Sequence, residues 1–338
     1  MNNVTTLGID LAKNIFQLHG TDSNGNRVLR KRLTRYKLPE FIANLKPCLI
    51  GIEACSGAHD WARRFIAMGH TVKIMSPQFV KPYIKSNKND ANDAAGIAEA
   101  VTRPDMKFVP IKTLQQQDML LIHRARELVM KQRTAQANQI RGLLTEYGIV
   151  LKQGINVIRT LPSILDEKNE QLSEKAVDIF SQLYEQFKYV DEQIVVYDKQ
   201  IAQAVSDDPL CQHIMEIEGV GPITASAAVA TIGDADAFKR GRELAAWLGL
   251  VPRQHSSGSK QRLLGISKRG DTYLRKLLIH GARSVVKTCA GKTDKRSKWV
   301  TSLKERCGFN KAAVALANKN ARIIWAMLAT GECYKKAV

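Results

Sequence analysis

Two short apolar runs constrain the N-terminal part of this chain more than any other feature. "VTTLGID" (residues 4–10) and "CLIGIEA" (residues 48–54) are strand-length, and each delivers a carboxylate at its end, Asp10 and Glu53. Between them, "IFQLHGTDSNGNRVLRKRLTR" alternates on either side of Asn24-Gly25, a hairpin signal, and "LPEFIANLK" reads as a short amphipathic helix. "GAHDWARRFIAMG" is helical with Gly69 as its stop, and "HTVKIMSP" is a further strand. An Ala-rich helix follows, so the order is β-β-β-α-β-α-β-α, a three-stranded meander continued by α/β units.

That Ala-rich helix, in "NKNDANDAAGIAEAV", opens with Asp90 and Asp93. At i and i+3 they share one helix face, with Cβ atoms about 5–6 Å apart, where like charges repel. Acids in a first turn also complement the helix dipole, which alone would account for a lone pair. A divalent metal accounts for more. If the first and fourth strands are neighbours, Asp10 and Glu53 project from adjacent strand ends, and a helix docked nearby brings Asp90 and Asp93 to the same point. Carboxylates gathered without a cation raise one another's pKa values; one or two Mg²⁺ ions, with Mn²⁺ as a substitute, remove that penalty. Two ions about 3.5–4 Å apart activate a nucleophile and stabilise a leaving oxygen in phosphoryl transfer.

From Thr113 to Tyr147 the pattern is one long polar helix, and after an interruption at Pro162 a second runs from Ser173 to Val205. The apolar residues of the second step by three or four from Val177 to Ile201, which suits a coiled-coil seam against the first helix or against another chain. After Pro209 the composition changes. Three regions are expected: 1–112, an α/β metal-binding domain whose last helices extend to about 150; 113–208, a helical arm; and 209–338, a mainly α, basic domain.

Lys and Arg number 51 against 32 Asp and Glu, a net charge of +19, which calls for a polyanionic partner. Between Lys239 and Arg306 there are 18 Lys/Arg and 4 Asp/Glu, so a phosphate backbone is expected there. No apolar run approaches the roughly 20 residues of a membrane span, and no signal peptide opens the chain, so a cytoplasmic protein with no membrane partner is expected. Six scattered cysteines without a C-x-x-C read as reduced, mostly buried thiols. Phosphate-binding and dinucleotide-binding glycine loops are missing, which argues against a nucleotide-driven motor.

Within the basic region, "LVPRQHSSGSKQRLLGISKRGDTYLRK" sets a Ser-Ser-Gly turn among Arg253, Lys260, Arg262, Lys268, Arg269 and Arg275. The turn is either a plain glycine turn or a hydroxyl held among cations that grip a phosphodiester. In "IEGVGPITASAA", Gly219 and Gly221 would bare backbone N–H groups to a phosphate at a helix N-terminus, as in a helix-hairpin-helix element, or simply connect two helices. The four tryptophans read as core residues rather than base-stacking platforms.

"GIDLAK", "GIEAC" and "NKNDANDA", in this order and joined to the serine-bearing segment, resemble the DEDD-type bacterial insertion-sequence transposases, a family that includes pilin-gene-inverting recombinases. The resemblance spans roughly residues 4 to 330. It implies an RNase H/RuvC-like first domain with Asp10, Glu53, Asp90 and Asp93 as metal ligands and catalytic groups. It also implies that the serine before the glycine, Ser257, attacks DNA to form a covalent phosphoserine intermediate, with Ser256 as the neighbouring candidate. The family further implies a structured bridge RNA that selects double-stranded target and donor DNA, and a homodimer assembling into a homotetramer. Two rival expectations remain: a metal-dependent junction-resolving endonuclease that forms no covalent adduct, and a non-catalytic nucleic-acid-binding protein.

Overall fold

The computed structural model describes residues 3–84, 89–257 and 260–335, with the backbone alone for Lys260 and Gln261. The chain divides into two compact units, Met1–Thr113 with Ile232–Lys239, and Leu114–Thr231 with Arg240–Val338.

The first unit is built on β1 (Thr6–Asp10), β2 (Ile15–Thr21), β3 (Arg27–Thr34), α1 (Lys37–Ala43), β4 (Leu49–Glu53), α2 (Ala58–Ala67), β5 (Thr71–Met75), α3 (Pro77–Val80), α4 (Asp90–Ala100) and β6 (Phe108–Val109). The β2–β3 turn closes where Asn24-Gly25 predicts it. Gly25 takes a positive φ of 81°, and Asp22 Oδ1 accepts from the backbone N–H groups of Asn24 and Asn26 at 2.9 and 2.8 Å. The six strands form one mixed sheet in the order β3-β2-β1-β4-β5-β6. β1 runs parallel to β4 and β4 to β5, whereas β2, β3 and β6 join antiparallel. The order of elements is the one read from the sequence, with α3 and the two-residue β6 added. Leu7, Ile9, Phe16, Leu18, Ile50, Ile52, Trp61 and Phe65 form the core, all buried.

Glycines let α4 lie directly on the strands. A Cβ placed on Gly8 would sit 2.3 Å from the Ala94 carbonyl oxygen and 2.4 Å from the Ala98 nitrogen, and one on Gly51 would meet Val101 at 2.8 Å. The alanines of α4 therefore serve close approach: small residues face glycine in the strand, backbone against backbone.

In the second unit, α5 (Leu114–Thr145), α6 (Ile155–Arg159), α7 (Leu161–Glu167) and α8 (Glu174–Ser206) lead to α9 (Pro209–Met215), α10 (Pro222–Ile232) and α11 (Gly241–Trp247). A hairpin, β7 (Pro252–Ser257) and β8 (Lys260–Ile266), precedes α12 (Thr272–Thr288), α13 (Lys295–Cys307) and α14 (Phe309–Thr330). The two long helices pack on each other within the chain. Phe180, Phe187, Ile194 and Ile201 are buried at seven-residue spacing, and Arg133–Asp191 and Arg126–Asp198 pairs at 2.6 Å tie α5 to α8. The helical arm and the C-terminal segment belong to this same unit. His123 on α5 joins them, its ring nitrogens hydrogen-bonded to Tyr273 Oη on α12 at 3.1 Å and Ser226 Oγ on α10 at 3.0 Å. Burial, reinforced by Arg126, lowers the His123 pKa to about 4.

All six cysteines are free thiols; Cys48, Cys211 and Cys289 are buried, whereas Cys55 and Cys333 are exposed. No helix among the described residues is long and apolar enough to cross a membrane.

Candidate metal centre and nucleic-acid interface

β1 and β4 pair in parallel through Gly8–Gly51 and Ile9–Ile52, so Asp10 and Glu53 end neighbouring strands on the same sheet face. α4 starts above that edge. Its N-cap is Asn89, whose Oδ1 accepts from the Asn92 N–H at 2.9 Å, and Asp90 and Asp93 occupy its first turn. Because Gly8 admits the helix at backbone distance, the first turn overhangs the end of β1. One carboxylate oxygen from each of Asp10, Asp90 and Asp93 lies within 4.8 Å of the others, the single such acidic or metal-ligating group among the described residues. Glu53 ends the adjacent strand but is not in that group of three.

The donor set fits a hard divalent cation. Carboxylate oxygens are the ligands such ions prefer, and the like charges of Asp90 and Asp93 need a counterion. Asp93 Oδ1 is buried without a hydrogen-bond partner, an acceptor that a cation could satisfy. Cys55, just past β4, reports the same field. Partial desolvation of this otherwise exposed thiol, and then the negative charges of Glu53 and Asp10, raise its pKa. Gly8 and Cys55 were not singled out from the sequence. The Gly8-x-Asp10 spacing opposite an alanine-rich helix was the available signal for the first.

The serines lie on the second unit. The segment read as a Ser-Ser-Gly turn is a two-stranded antiparallel ribbon, with Ser257 paired to Lys260 and His255 to Arg262. Every residue of β7 is exposed. Strand alternation puts Ser257, His255 and Arg262 on one face, and Gln254 and Ser256 on the other. There, Gln254 Nε2 donates to Ser256 Oγ at 2.9 Å. The two candidate serines therefore face opposite ways. Gly258, and the side chain of Lys260, lie outside the described residues.

The other basic candidates divide. Arg253, Arg262, Lys268 and Arg269 are exposed, and Lys268 holds a left-handed φ of 55°, unusual for a side-chain-bearing residue. Arg275 is buried. Its Nη1 donates to the carbonyls of Leu248 and Arg269 at 3.0 and 2.6 Å, and its Nη2 to Thr272 Oγ1 at 3.2 Å. It clamps the loop that carries Lys268 and Arg269 instead of standing on the surface as a phosphate contact. Gly219 has φ +84°, and a Cβ there would meet the Gly281 carbonyl of α12 at 2.8 Å, so its close approach is to a helix of its own unit. Gly221 is exposed, with open space around its Cα, just ahead of Pro222 at the start of α10.

The first unit thus converges three carboxylates that could hold a divalent cation, and the second carries an exposed, cationic, serine-bearing ribbon. A transposase family model matches residues 7–149, spanning all four acids, and the model of the IS116/IS110/IS902 transposase family matches residues 211–298, spanning the ribbon. The chain is 47% identical over 98% of its length to a Pseudomonas aeruginosa protein named "Probable family 20 transposase", covering 99% of that protein. It is 46% identical over 99% of its length to the transposase for insertion sequence element IS1111A of Coxiella burnetii, covering 92% of it. With the transposase for insertion sequence element IS1328 of Yersinia enterocolitica the identity is 41%, over 99% of this chain and all of the other. The chain belongs to the IS110/IS116/IS1111 family of DEDD-type insertion-sequence transposases.

Proposed function

We propose that this transposase cuts and rejoins DNA through Ser257, assisted by Mg²⁺ held at Asp10, Asp90 and Asp93 with Glu53 as the fourth ligand of an RNase H/RuvC-like domain. The observation that carries the metal half is the convergence of one carboxylate oxygen from each of the three aspartates to within 4.8 Å of one another. The bound ion supplies charge neutralisation at the phosphoryl oxygens and activates an attacking oxygen.

The chain's own groups do the rest. Ser257 Oγ bonds to the scissile phosphorus, the phosphorus–sugar oxygen bond breaks, and the proton lost by the serine ends on the released sugar hydroxyl. A sugar hydroxyl of the recipient strand then attacks the same phosphorus, and the serine leaves with its proton restored. Arg262 shares Ser257's ribbon face and meets the non-bridging oxygens, while Arg253, Lys260, Lys268 and Arg269 hold the flanking backbone. The opposite orientation of Ser256 and the hydrogen bond it accepts from Gln254 favour Ser257 as the nucleophile. Gly221 offers backbone N–H groups to a phosphate at the start of α10.

The partners in this reading are target and donor duplexes and a structured bridge RNA, and the protein works in the cytoplasm. The assembly is a homodimer that pairs into a tetramer. Leu114, Leu121 and Leu128 support a dimer, since they are exposed at seven-residue spacing along α5.

The test incubates purified protein, element-derived RNA, labelled DNA ends and Mg²⁺, and resolves the products on a denaturing gel. A protein–DNA adduct that disappears with Ser257→Ala and persists with Ser256→Ala is expected. Metal-dependent cleavage without an adduct in any lane would instead make the protein a junction-resolving endonuclease.

A further inference from the structure

The second unit holds a cavity of about 950 Å³ between the start of α11, the start of α13 and the C-terminal half of α14. Neither the acids nor the ribbon contributes to it. Arg242, Lys295, Lys319 and Arg322 line it, together with the indoles of Trp299 and Trp325. Both indoles are half-buried, neither core nor surface. The volume falls in the range of sites that enclose a molecule of nucleotide size.

Charge in this cavity is unbalanced. Arg296, 8% exposed, is held by Tyr334 Oη, the Glu218 carbonyl and Asn320 Oδ1. Its Nε stands 3.8 Å from Glu218 Oε2, and both atoms are buried without a hydrogen bond. Glu218 thus answers Arg296 incompletely, and together with Asp294 and Glu332 it is outnumbered by the seven Lys and Arg residues of the lining. The Lys319 ammonium lies 4.4 Å from the Trp299 ring centroid, its pKa lowered by burial and by the positive charges of Arg296 and Arg322. Three cations are crowded around an aromatic wall, and an anion entering there relieves their repulsion.

We propose that this cavity receives one unpaired nucleotide of the nucleic-acid partner, its phosphate against Lys319 and Arg322 and its base against Trp299 and Trp325. Stacked bases inside a duplex cannot reach half-buried indoles, whereas a base out of the stack is bound in this way, by aromatic faces flanked by cations. The proposal rests on the nucleic-acid partnership above and adds a site for single-stranded character to it. RNA and unpaired DNA offer the same chemistry.

The experiment measures fluorescence anisotropy of labelled oligouridylate, oligothymidylate and a mixed-sequence duplex with the full-length protein and with Arg322→Glu and Trp299→Ala. Arg322 is exposed, so its charge reversal leaves the fold intact even if loss of the Trp299 indole does not. Both variants are expected to weaken single-strand binding about tenfold or more and duplex binding by no more than about twofold. The single strand that loses more identifies RNA or DNA as the source. Single strands should also quench the tryptophan emission of the wild type and quench that of Trp299→Ala less. Variants that match the wild type on single strands, or that lose single strand and duplex equally, overturn the pocket while leaving the nucleic-acid partnership standing. A wild type that binds no nucleic acid overturns both.

Discussion

The acid-bearing sheet edge and the serine-bearing ribbon solve opposite problems with opposite architecture. At the sheet edge, Asp10 stands at the end of a buried strand and α4 is seated on Gly8 with no side chain between. Carboxylates placed this way are preorganised, because moving one means moving a strand or a helix. The ribbon has no such support. All six residues of β7 are exposed, and Leu263 on β8 is 66% exposed. An exposed two-stranded ribbon can enter a nucleic-acid groove, which a group at a packed sheet edge cannot. In the proposed mechanism the ions need fixed geometry, whereas the serine needs reach.

Substitution of an acid should break this contrast most severely. Asp90→Asn is expected to lower strand exchange by about 10³-fold or more, several kcal/mol of lost charge stabilisation, with duplex affinity close to wild type. Measured together, exchange rate and affinity decide the matter: parallel loss of both would make Asp90 a structural residue. Packing comes next. Gly8→Ala puts a methyl into the Ala94 carbonyl and should destabilise the first unit by about 1–3 kcal/mol while abolishing metal-dependent cleavage, whereas Leu263→Ser on the ribbon should stay within about 0.5 kcal/mol. Urea titrations of the two variants compare them directly, and equal costs would erase the distinction between rigid and exposed supports.

The ribbon has its own signature in salt. Each of Arg253→Ala and Arg262→Ala should reduce the log–log salt slope of duplex binding by about 0.9, one phosphate contact apiece, and an unchanged slope would remove these residues from the interface. The smallest effect concerns the helices of the ribbon's unit. His123, pKa about 4 when folded, stays neutral between pH 6.5 and 4 while the unfolded chain takes up a proton. Its contribution is therefore present above pH 6.5 and is lost as pH falls toward 4. Urea midpoints at pH 7 and pH 5 should differ less for His123→Gln than for wild type; an equal difference would show that His123 does not set the acid response.

Much of the first unit was legible because its signals are local. Continuous apolar runs, Asn24-Gly25 and the helix stop at Gly69 each act within a few residues, and each sits where it was read. The second unit was less legible where a residue's role depends on distant neighbours. Arg275 looks like its basic neighbours in sequence, yet three acceptors bury it. Gly219 looked like a phosphate-approach glycine, and the backbone it approaches is that of Gly281. The Ser-Ser-Gly stretch concealed a ribbon because neither face of it is apolar, so no hydrophobic alternation announces the strands.

By itself, the sequence determined which residue types stand at the ends of strands and helices, where the positive charge concentrates and which segments are helical. These follow from short-range periodicity, capping and composition. The tertiary structure alone decided that three of the four acids meet, that Ser256 and Ser257 face apart and that Trp299 and Trp325 line a cationic cavity. Each of these is a distance between atoms far apart in the chain or a choice between faces, set by packing and strand register, which local propensity does not encode.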